Sequence, residues 1–152
     1  MTMDAAEIRA SLSRQSLLRL LAAQPVDISP GRVVLEMPFG EHLCQQNGFL
    51  HAGVLTSIAD SACGYAALTL MEPGSDVLSV EFKVNLLAPA VGERFRAVGT
   101  VVRAGRTLTV CSGEVVALSA GREDTQVALM QATMITRPGN GPAPVATAPD
   151  PA

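Results

Sequence analysis

The pattern of apolar and polar positions changes from a helical to an alternating period along the chain. Residues 4–24 contain no Pro or Gly and end before Pro25, which predicts a helix with one face packed on the domain. A turn is predicted at residues 27–31, and a short strand at residues 32–37. Residues 53–71 hold almost no charge, so we expect a helix that is apolar on nearly all sides and buried.

The second half of the chain predicts four antiparallel strands. In residues 77–86, one face is apolar and the other polar: Leu78, Val80, Phe82, Val84 and Leu86 alternate with Ser79, Glu81, Lys83 and Asn85. Strands at residues 93–103, 107–119 and 125–136 follow through Gly-containing turns. A single apolar helix must lie across one face of such a sheet. The predicted fold class is therefore α+β, a hotdog fold in which an antiparallel sheet wraps around one long central helix.

The chain divides into one domain with a segment on each side. An N-terminal helix is predicted for residues 1–24 and the hotdog domain for residues 25–137. Residues 138–152 read PGNGPAPVATAPDPA, a composition that cannot bury a core. We therefore expect a disordered tail there.

Composition narrows the classes of function. Apolar residues make up 48% of the chain and charged residues 16%, which is typical of a folded protein. With 3% aromatic residues and a net charge of -3, the chain lacks the stacking platforms and positive surface of nucleic-acid-binding proteins. The N-terminus does not resemble a secretory signal, and the longest apolar run, residues 62–71, is about half of a membrane span. We expect a cytoplasmic protein with neither a nucleic-acid nor a membrane partner.

The cysteines and histidines show no metal-site spacing. Cys44, Cys63 and Cys111 are widely spaced and form no CxxC pair, and the only histidines are His42 and His51. We interpret the cysteines as reduced thiols that pack as small apolar side chains, and we expect no metal.

The central helix carries one charge in its interior, Asp60. A carboxylate in a buried apolar helix is costly unless it is paired, hydrogen-bonded or neutralised. One interpretation is a structural Asp that caps a neighbouring loop. The other is a general base or nucleophile held in position by the helix. The residue and its surroundings in the sequence leave both open.

The residues His51-Ala52-Gly53 stand where the central helix begins. N–H groups of a first helical turn have no partner within the helix and lie at the positive end of its dipole, so they can stabilise an oxyanion. An ordinary helix start explains the same residues. Ala52 and Asp60 are separated by about 12 Å of helix rise, so one carbonyl cannot contact both within a subunit. If both serve one reaction, they belong to facing helices of a two-fold homodimer.

This segment resembles the hotdog-fold acyl-CoA thioesterases of the phenylacetate-pathway (PaaI) type. Their motif is His-Gly-Gly followed by a helix with an Asp seven residues beyond the second Gly, and His51-Ala52-Gly53 with Asp60 keep that spacing. The resemblance runs through Ser79 and Asn85-Leu86-Leu87-Ala88-Pro89 to Gly105-Arg106-Thr107-Leu108, covering roughly residues 30–136. It implies a homodimer, paired again into a homotetramer, that hydrolyses acyl-CoA to the free acid and CoA.

The resemblance also implies residue roles. Asp60 is the general base or nucleophile, and the backbone N–H of Ala52, where relatives carry Gly, forms the oxyanion hole. Gln45 fits a Gln or Asn that orients the water or polarises the carbonyl, and Ser79 holds the water or the carboxylate. The implied catalytic residues are Asp60, Ala52, Gln45, His51 and Ser79. The implied substrate-binding residues are Gln46, Asn47, Gly53 and Gly64, with Gly64 at a position where some relatives carry Thr or Ser. Arg103 and Arg106 are added as substrate-binding candidates because of their charge beside a turn.

Thioester hydrolysis suits these parts. A thioester is already activated, so a base, an N–H donor and a dry pocket suffice, with no cofactor beyond the CoA of the substrate. We expect an acyl pocket lined by the apolar helix and facing strand residues, which fits phenylacetyl, benzoyl and medium-chain groups alike. Arg103 and Arg106 flank a turn where they can meet the CoA phosphates, although solvated strand-edge arginines are the alternative.

Two other functions stay open. A hotdog hydratase or dehydratase needs a His paired with an acidic residue, but His51 precedes the oxyanion residue as in the thioesterases, and a longer hydratase signature is absent. A non-catalytic acyl-CoA-binding module would usually carry a DNA-binding arm, and residues 1–24 show no helix-turn-helix pair. The presence of Gln45, Ala52, Asp60 and Ser79 favours thioesterase activity.

Overall fold

A computed structural model describes residues 2–139 of the chain. The part of the predicted tail beyond residue 139 therefore lies outside the described residues. The helices are α1 (Ala5–Arg14), α2 (Ser16–Leu20) and α3 (Ala52–Leu68), with a short 3-10 turn at Glu41–Leu43. The strands are β1 (Gln24–Ser29), β2 (Arg32–Pro38), β3 (Ser75–Leu86), β4 (Arg94–Ala104), β5 (Leu108–Leu118) and β6 (Thr125–Pro138).

The six strands form one antiparallel sheet in the order β1-β2-β4-β5-β6-β3. Helix α3 lies across one face of this sheet and packs against β2, β3, β4, β5 and β6. The predicted α+β hotdog architecture is confirmed, including the β4–β5 and β5–β6 hairpins. The long helix starts one residue earlier and ends three residues earlier than its apolar pattern suggests.

Small residues let α3 lie close to the sheet. Ala59, Ala62 and Cys63 of the helix are buried. On the facing strands, a Cβ at Gly99 would overlap the backbone of Ala62, and a Cβ at Gly113 would lie 2.8 Å from the Cys63 sulfur. Close packing of this kind fixes the height of α3 above the sheet, and with it the position of every polar side chain that the helix carries.

The N-terminal prediction is wrong in two respects. The expected helix over residues 4–24 is broken at Gln15, which is extended (φ -71, ψ 112) between α1 and α2. The expected turn at residues 27–31 is confined to Pro30 and Gly31, and residues 27–29 belong to an additional strand, β1, so the sheet has six strands instead of five. Pro25 is tolerated there because β1 is an edge strand, where one N–H fewer costs no sheet hydrogen bond.

Strand β3 also departs from its predicted alternation. Its register against β6 shifts between Ser79, which faces Met134, and Glu81, which faces Thr133, so Val80 forms a bulge. Beyond the bulge, Phe82 lies opposite the buried Ala132. One extra residue exchanges the faces of a strand. The bulge therefore places Ser79 on the same face as Phe82, towards α3, where strict alternation would have put it on the opposite face.

Candidate functional site

Asp60 and Ser79 meet at one end of β3. The Ser79 hydroxyl donates a hydrogen bond of 2.6 Å to Oδ1 of Asp60, and the Ser79 oxygen lies 3.4 Å from the Met134 sulfur. Asp60 is half-buried, and within residues 2–139 its Oδ2 has no hydrogen-bond partner and no cation pairs with it. The carboxylate is held by a strand side chain instead of capping a loop, and one of its oxygens is available to a water molecule.

A cavity of about 300 Å³ opens beside this pair. It is lined by Ser11, Gln15, Leu17, Ser57, Asp60, Ser61, Gly64, Tyr65, Leu68, Asp76, Val77, Leu78, Ser79 and Met134. More than half of these side chains are polar, so the expected apolar pocket is wrong at this end of the site. Six of the eight polar residues come from α3 and β3 themselves, and Ser11 and Gln15 of the N-terminal segment add the other two.

The buried cysteines lie behind the cavity. Burial first, then the neighbouring Cys111 and the Asp60 carboxylate, raise the pKa of the Cys63 thiol well above its usual range. Burial raises the pKa of Cys111 to about 11. Both thiols are free and stay protonated at neutral pH, so they act as small apolar side chains and not as nucleophiles.

A second group of predicted residues lies at the start of α3. His51 is the N-cap, and its Nδ1 accepts a 2.8 Å hydrogen bond from the N–H of Gly53, which places the ring proton of the neutral imidazole on Nε2. The N–H groups of Val54 and Leu55 point to the carbonyl of His51 at 2.9 and 3.4 Å. Of the four N–H groups in this first turn, only that of Ala52 lacks a partner within residues 2–139.

Gln45 lies beside Ala52 in a groove of about 420 Å³. The groove is lined by Gln45, Phe49, Leu50, Ala52, Leu55, Leu86, Leu87, Ala88, Pro89 and Ala90. The side-chain oxygen of Gln45 accepts a hydrogen bond from the N–H of Asn47, which leaves its NH₂ group free to donate. Gln46 and Asn47 are exposed and outside the groove, so Gln45 is the one of the three that shares a surface with Ala52.

The two groups do not meet within one chain. The Asp60 cavity and the Ala52 groove share no lining residue, and they lie towards opposite ends of β3. Ser79 and Leu86 are separated by about 20 Å of strand. One chain therefore presents a carboxylate without an N–H donor at one end of β3, and an N–H donor without a carboxylate at the other.

The remaining predicted residues divide between these places. The N–H of Gly53 donates to Nδ1 of His51. Gly64 is buried in the wall of the Asp60 cavity, where an added Cβ would meet nothing within 4 Å. Arg103 and Arg106 are exposed on the β4–β5 hairpin and form no ion pair within residues 2–139. Their hairpin adjoins the Asp60 end of the sheet, because Thr109 of β5 pairs with Met134, which in turn pairs with Ser79.

Sequence reasoning missed the polar cluster at the far end of the Asp60 cavity. The Tyr65 hydroxyl, on α3, lies 3.1 Å from the Ser11 hydroxyl and accepts a 3.1 Å hydrogen bond from the Gln15 amide. The available signal was Tyr65 itself, because a Tyr in a buried apolar helix needs a partner for its hydroxyl.

Two further observations concern the described residues only. Between residues 2 and 139, no three His, Cys, Asp or Glu side chains are grouped so that they could hold a metal ion. None of the helices in this part of the chain is long and apolar enough to cross a lipid bilayer.

Comparison with known families decides the class of the protein. A family profile described as the thioesterase superfamily matches residues 47–122, which include the start of α3 and Asp60. The chain belongs to the thioesterase superfamily. The predicted thioesterase family and enzyme class are thereby confirmed.

Curated relatives of this thioesterase carry related names. Among those named as esterases are a protein of Saccharolobus solfataricus, 33% identical over 62% of this chain and 66% of that protein, and a protein of Halobacterium salinarum, 33% identical over 82% of this chain and 87% of that protein. The 1,4-dihydroxy-2-naphthoyl-CoA hydrolase of Listeria monocytogenes is 26% identical over 62% of this chain and 76% of that enzyme.

Two solved structures are similar to the whole domain. A thioesterase family protein from Silicibacter pomeroyi is 48% identical, with a TM-score of 0.86 over 89% of this chain and 98% of that protein. The PaaI protein of E. coli is 21% identical, with a TM-score of 0.76 over 86% of this chain and 90% of that protein, and this likeness concerns the fold alone.

Proposed function

We propose that this thioesterase hydrolyses acyl-CoA thioesters to the free acid and CoA, at two equivalent sites across the interface of a homodimer. The observation that carries the proposal is the Ser79–Asp60 pair beside a cavity, with one carboxylate oxygen left open. A CoA thioester is the substrate in the name of the Listeria relative, which supports the same substrate class here.

The edges of the sheet support the dimer. Strand β3 is a long edge strand whose exposed apolar side chains are Leu78, Val80, Phe82 and Leu86. The other edge, β1, is short and carries Pro25, a register shift and contacts with α1, all of which hinder pairing with another chain. An unprotected apolar edge favours pairing with a second copy, and two-fold symmetry makes that pairing antiparallel.

Antiparallel pairing of β3 with its copy completes the site. It brings the Ser79 end of one strand next to the Leu86 end of the other, so that Asp60 of one subunit faces the Ala52 groove of its partner. Each dimer then holds two sites, each with one carboxylate and one free backbone N–H. Neither subunit alone supplies both groups, as the separation along β3 requires.

The reaction follows from this arrangement. Asp60 removes a proton from a water molecule held near Oδ2, and the water oxygen bonds to the thioester carbonyl carbon. The developing oxyanion accepts a hydrogen bond from the N–H of Ala52 of the partner subunit, with the free NH₂ of Gln45 beside it. The C–S bond then breaks, and the CoA thiolate takes the proton from Asp60. The products are the acid and the CoA thiol.

Attack by Asp60 itself is the alternative first step, and isotope labelling reveals it when water opens the resulting anhydride at the Asp60 carboxyl carbon. A single turnover in ¹⁸O water is expected to leave Asp60 unlabelled and to place ¹⁸O in the released acid, because water attacks directly. Label in the Asp60 carboxylate, detected by peptide mass spectrometry, would replace the general-base step by an anhydride intermediate.

Phosphate recognition is proposed for Arg103 and Arg106, since both are exposed, unpaired and next to the Asp60 end of the sheet. For Arg106→Ala, we expect KM for acyl-CoA to rise several-fold, with little change for a short thioester that lacks the nucleotide. Arg122→Ala, in the β5–β6 turn, is the matched control and should leave both unchanged. Equal effects of Arg106→Ala on both substrates would contradict the phosphate role.

The test of the function is release of free thiol from a panel of aryl and aliphatic acyl-CoAs, with the wild type and Asp60→Ala side by side. We expect turnover by the wild type and a loss of at least about a hundredfold in the variant. A folded dimer that turns over no thioester would favour a non-catalytic acyl-CoA-binding module. Water addition to an enoyl-CoA would favour a hydratase.

The proposal includes a homotetramer built from two such dimers, a cytoplasmic location and no cofactor beyond the CoA of the substrate. Sedimentation velocity gives the subunit number, and cell fractionation gives the location. Activity that survives chelation and exhaustive dialysis is expected if no cofactor is needed.

A further inference from the structure

The N-terminal helices close the far end of the Asp60 cavity, although they lie outside the segment that matches the superfamily. Ser11 of α1, Gln15 at the break and Leu17 of α2 all line the cavity. The family match begins only at residue 47. A segment outside the family match therefore shapes the space next to Asp60.

The break between α1 and α2 is what turns Gln15 towards this space. Gln15 is extended, with φ -71 and ψ 112, and its side chain reaches the Tyr65 hydroxyl. The NH₂ group of the Gln15 amide donates this 3.1 Å hydrogen bond. Within residues 2–139, the side-chain oxygen of Gln15 has no hydrogen-bond partner, although the residue is half-buried. A half-buried amide with free hydrogen-bonding capacity is suited to a polar ligand atom.

The floor between Asp60 and this amide is open. Tyr65 stands five residues beyond Asp60 on α3, about 7.5 Å along the helix axis. Gly64 lies between them, and a Cβ there would meet nothing within 4 Å. An acyl group whose thioester carbon lies at Asp60 can therefore extend over Gly64, so that its remote end arrives at Gln15.

We propose that Gln15 is a specificity-determining residue, which selects acyl groups that carry a hydroxyl at the end remote from the thioester. Tyr65 and Ser11 are positioning residues that hold the Gln15 amide in place. The inference rests on the proposed function, because it assigns the acyl end of that same site. An acyl group without the hydroxyl leaves the free oxygen of the Gln15 amide desolvated and without a partner, and this disfavours the binding of that acyl group.

The test compares two matched substrate pairs, phenylacetyl-CoA with its 4-hydroxy derivative and hexanoyl-CoA with its 6-hydroxy derivative. The comparison is read from the pair that the wild type turns over faster. In that pair, we expect kcat/KM of the wild type to be at least about tenfold higher for the hydroxylated member. In Gln15→Leu, the ratio should fall to about one, while kcat/KM for acetyl-CoA, which is too short to reach Gln15, stays unchanged.

The controls separate selectivity from folding. Gln24→Leu changes the same residue type on β1, away from this cavity, and should keep the wild-type ratio. Tyr65→Phe removes the hydroxyl that orients Gln15 and should lower the ratio in part. If Gln15→Leu does not fold, as judged by its melting temperature, Tyr65→Phe decides the question alone.

The outcomes distinguish this inference from the proposed function. Hydrolysis of both members of each pair at equal rates by the wild type would overturn the role of Gln15 and leave the thioesterase proposal intact. An unchanged ratio in Gln15→Leu, or in Tyr65→Phe when it decides alone, would do the same. Failure to hydrolyse any thioester would overturn the proposed function, and the inference with it.

Discussion

The two ends of β3 carry different halves of one chemistry. At the carboxylate end, Ser79 holds Asp60 beside a cavity of mixed polar and apolar lining that the N-terminal helices border. At the amide end, the His51 ring accepts the N–H of Gly53. The N–H of Ala52 stays open beside a largely apolar groove. The first half depends on side chains and can be removed by a conventional substitution. The second depends on the main chain, so only loss of an N–H removes it.

The largest effect is expected at the carboxylate end. Asp60→Asn keeps the shape of the side chain and its bond to Ser79 but removes the base, so kcat should fall by about a hundredfold to ten-thousandfold with the fold intact. Thiol release measures the fall in kcat, and circular dichroism checks that the fold is intact.

Asp76→Asn is the matched control, because Asp76 is exposed in the wall of the same cavity and has no part in the mechanism. Its activity should stay close to that of the wild type. Equal losses in both variants would show that the charge of the cavity matters, and not the position of Asp60.

A loss of about a hundredfold to a thousandfold is expected when the N–H at the amide end is removed by Ala52→Pro. Proline is well accepted at the first position of a helix. The preceding His51, with φ -63 and ψ 140, already has the extended conformation that a residue before proline requires. The variant should therefore fold and bind substrate, and Ala52→Gly, which keeps the N–H, should remain active. Full activity of the proline variant would exclude this oxyanion donor.

An intermediate effect is expected when the edge that joins the two ends is disrupted. Val80→Lys places a charge on the exposed apolar edge of β3, and a charged edge residue opposes pairing with another strand, so we expect monomers at low concentration and a loss of activity that follows the loss of dimer. Val26→Lys on β1 is the control, since Val26 and Val80 are 53% and 56% exposed. If Val80→Lys is an active monomer, the site is complete within one chain.

The smallest expected effect is a difference in thiol reactivity between the two ends of β3. Cys44 adjoins Gln45 and is half-buried, whereas Cys63 and Cys111 are buried behind the carboxylate end. Burial raises the pKa of Cys111 to about 11 and that of Cys63 further, so below that pH neither forms a thiolate in the folded state. One thiol per subunit should react with a disulfide reagent at pH 8, and three after unfolding. Three fast thiols in the folded protein would contradict the burial.

The sequence predicts the parts of this molecule that local patterns determine. The apolar helix, the alternating strands β4 to β6 and the spacing from His51 to Asp60 are all short-range features, and the structure contains them. Strand β1 was missed because Pro25 and residues 27–31 favour a turn, and only its place at the sheet edge makes Pro25 acceptable.

Two features of the candidate site depend on contacts that a local pattern does not record. The bulge at Val80 leaves the apolar alternation of β3 unbroken in the sequence, yet it decides that Ser79 faces Asp60. The polar end of the cavity arises where Ser11 and Gln15 meet Tyr65, 54 and 50 residues further along the chain. Spacing within one helix cannot reveal such a contact.

The central claim is that each active site takes its carboxylate from one subunit and its N–H donor from the other. Co-expression of Asp60→Asn and Ala52→Pro subunits, each inactive as a homodimer, tests it directly. Half of a random mixture is mixed dimer, and each mixed dimer holds one intact and one doubly altered site, so about a quarter of wild-type thiol release should return. If the purified mixed dimer is as inactive as its two parents, each site lies within a single subunit and the account is wrong.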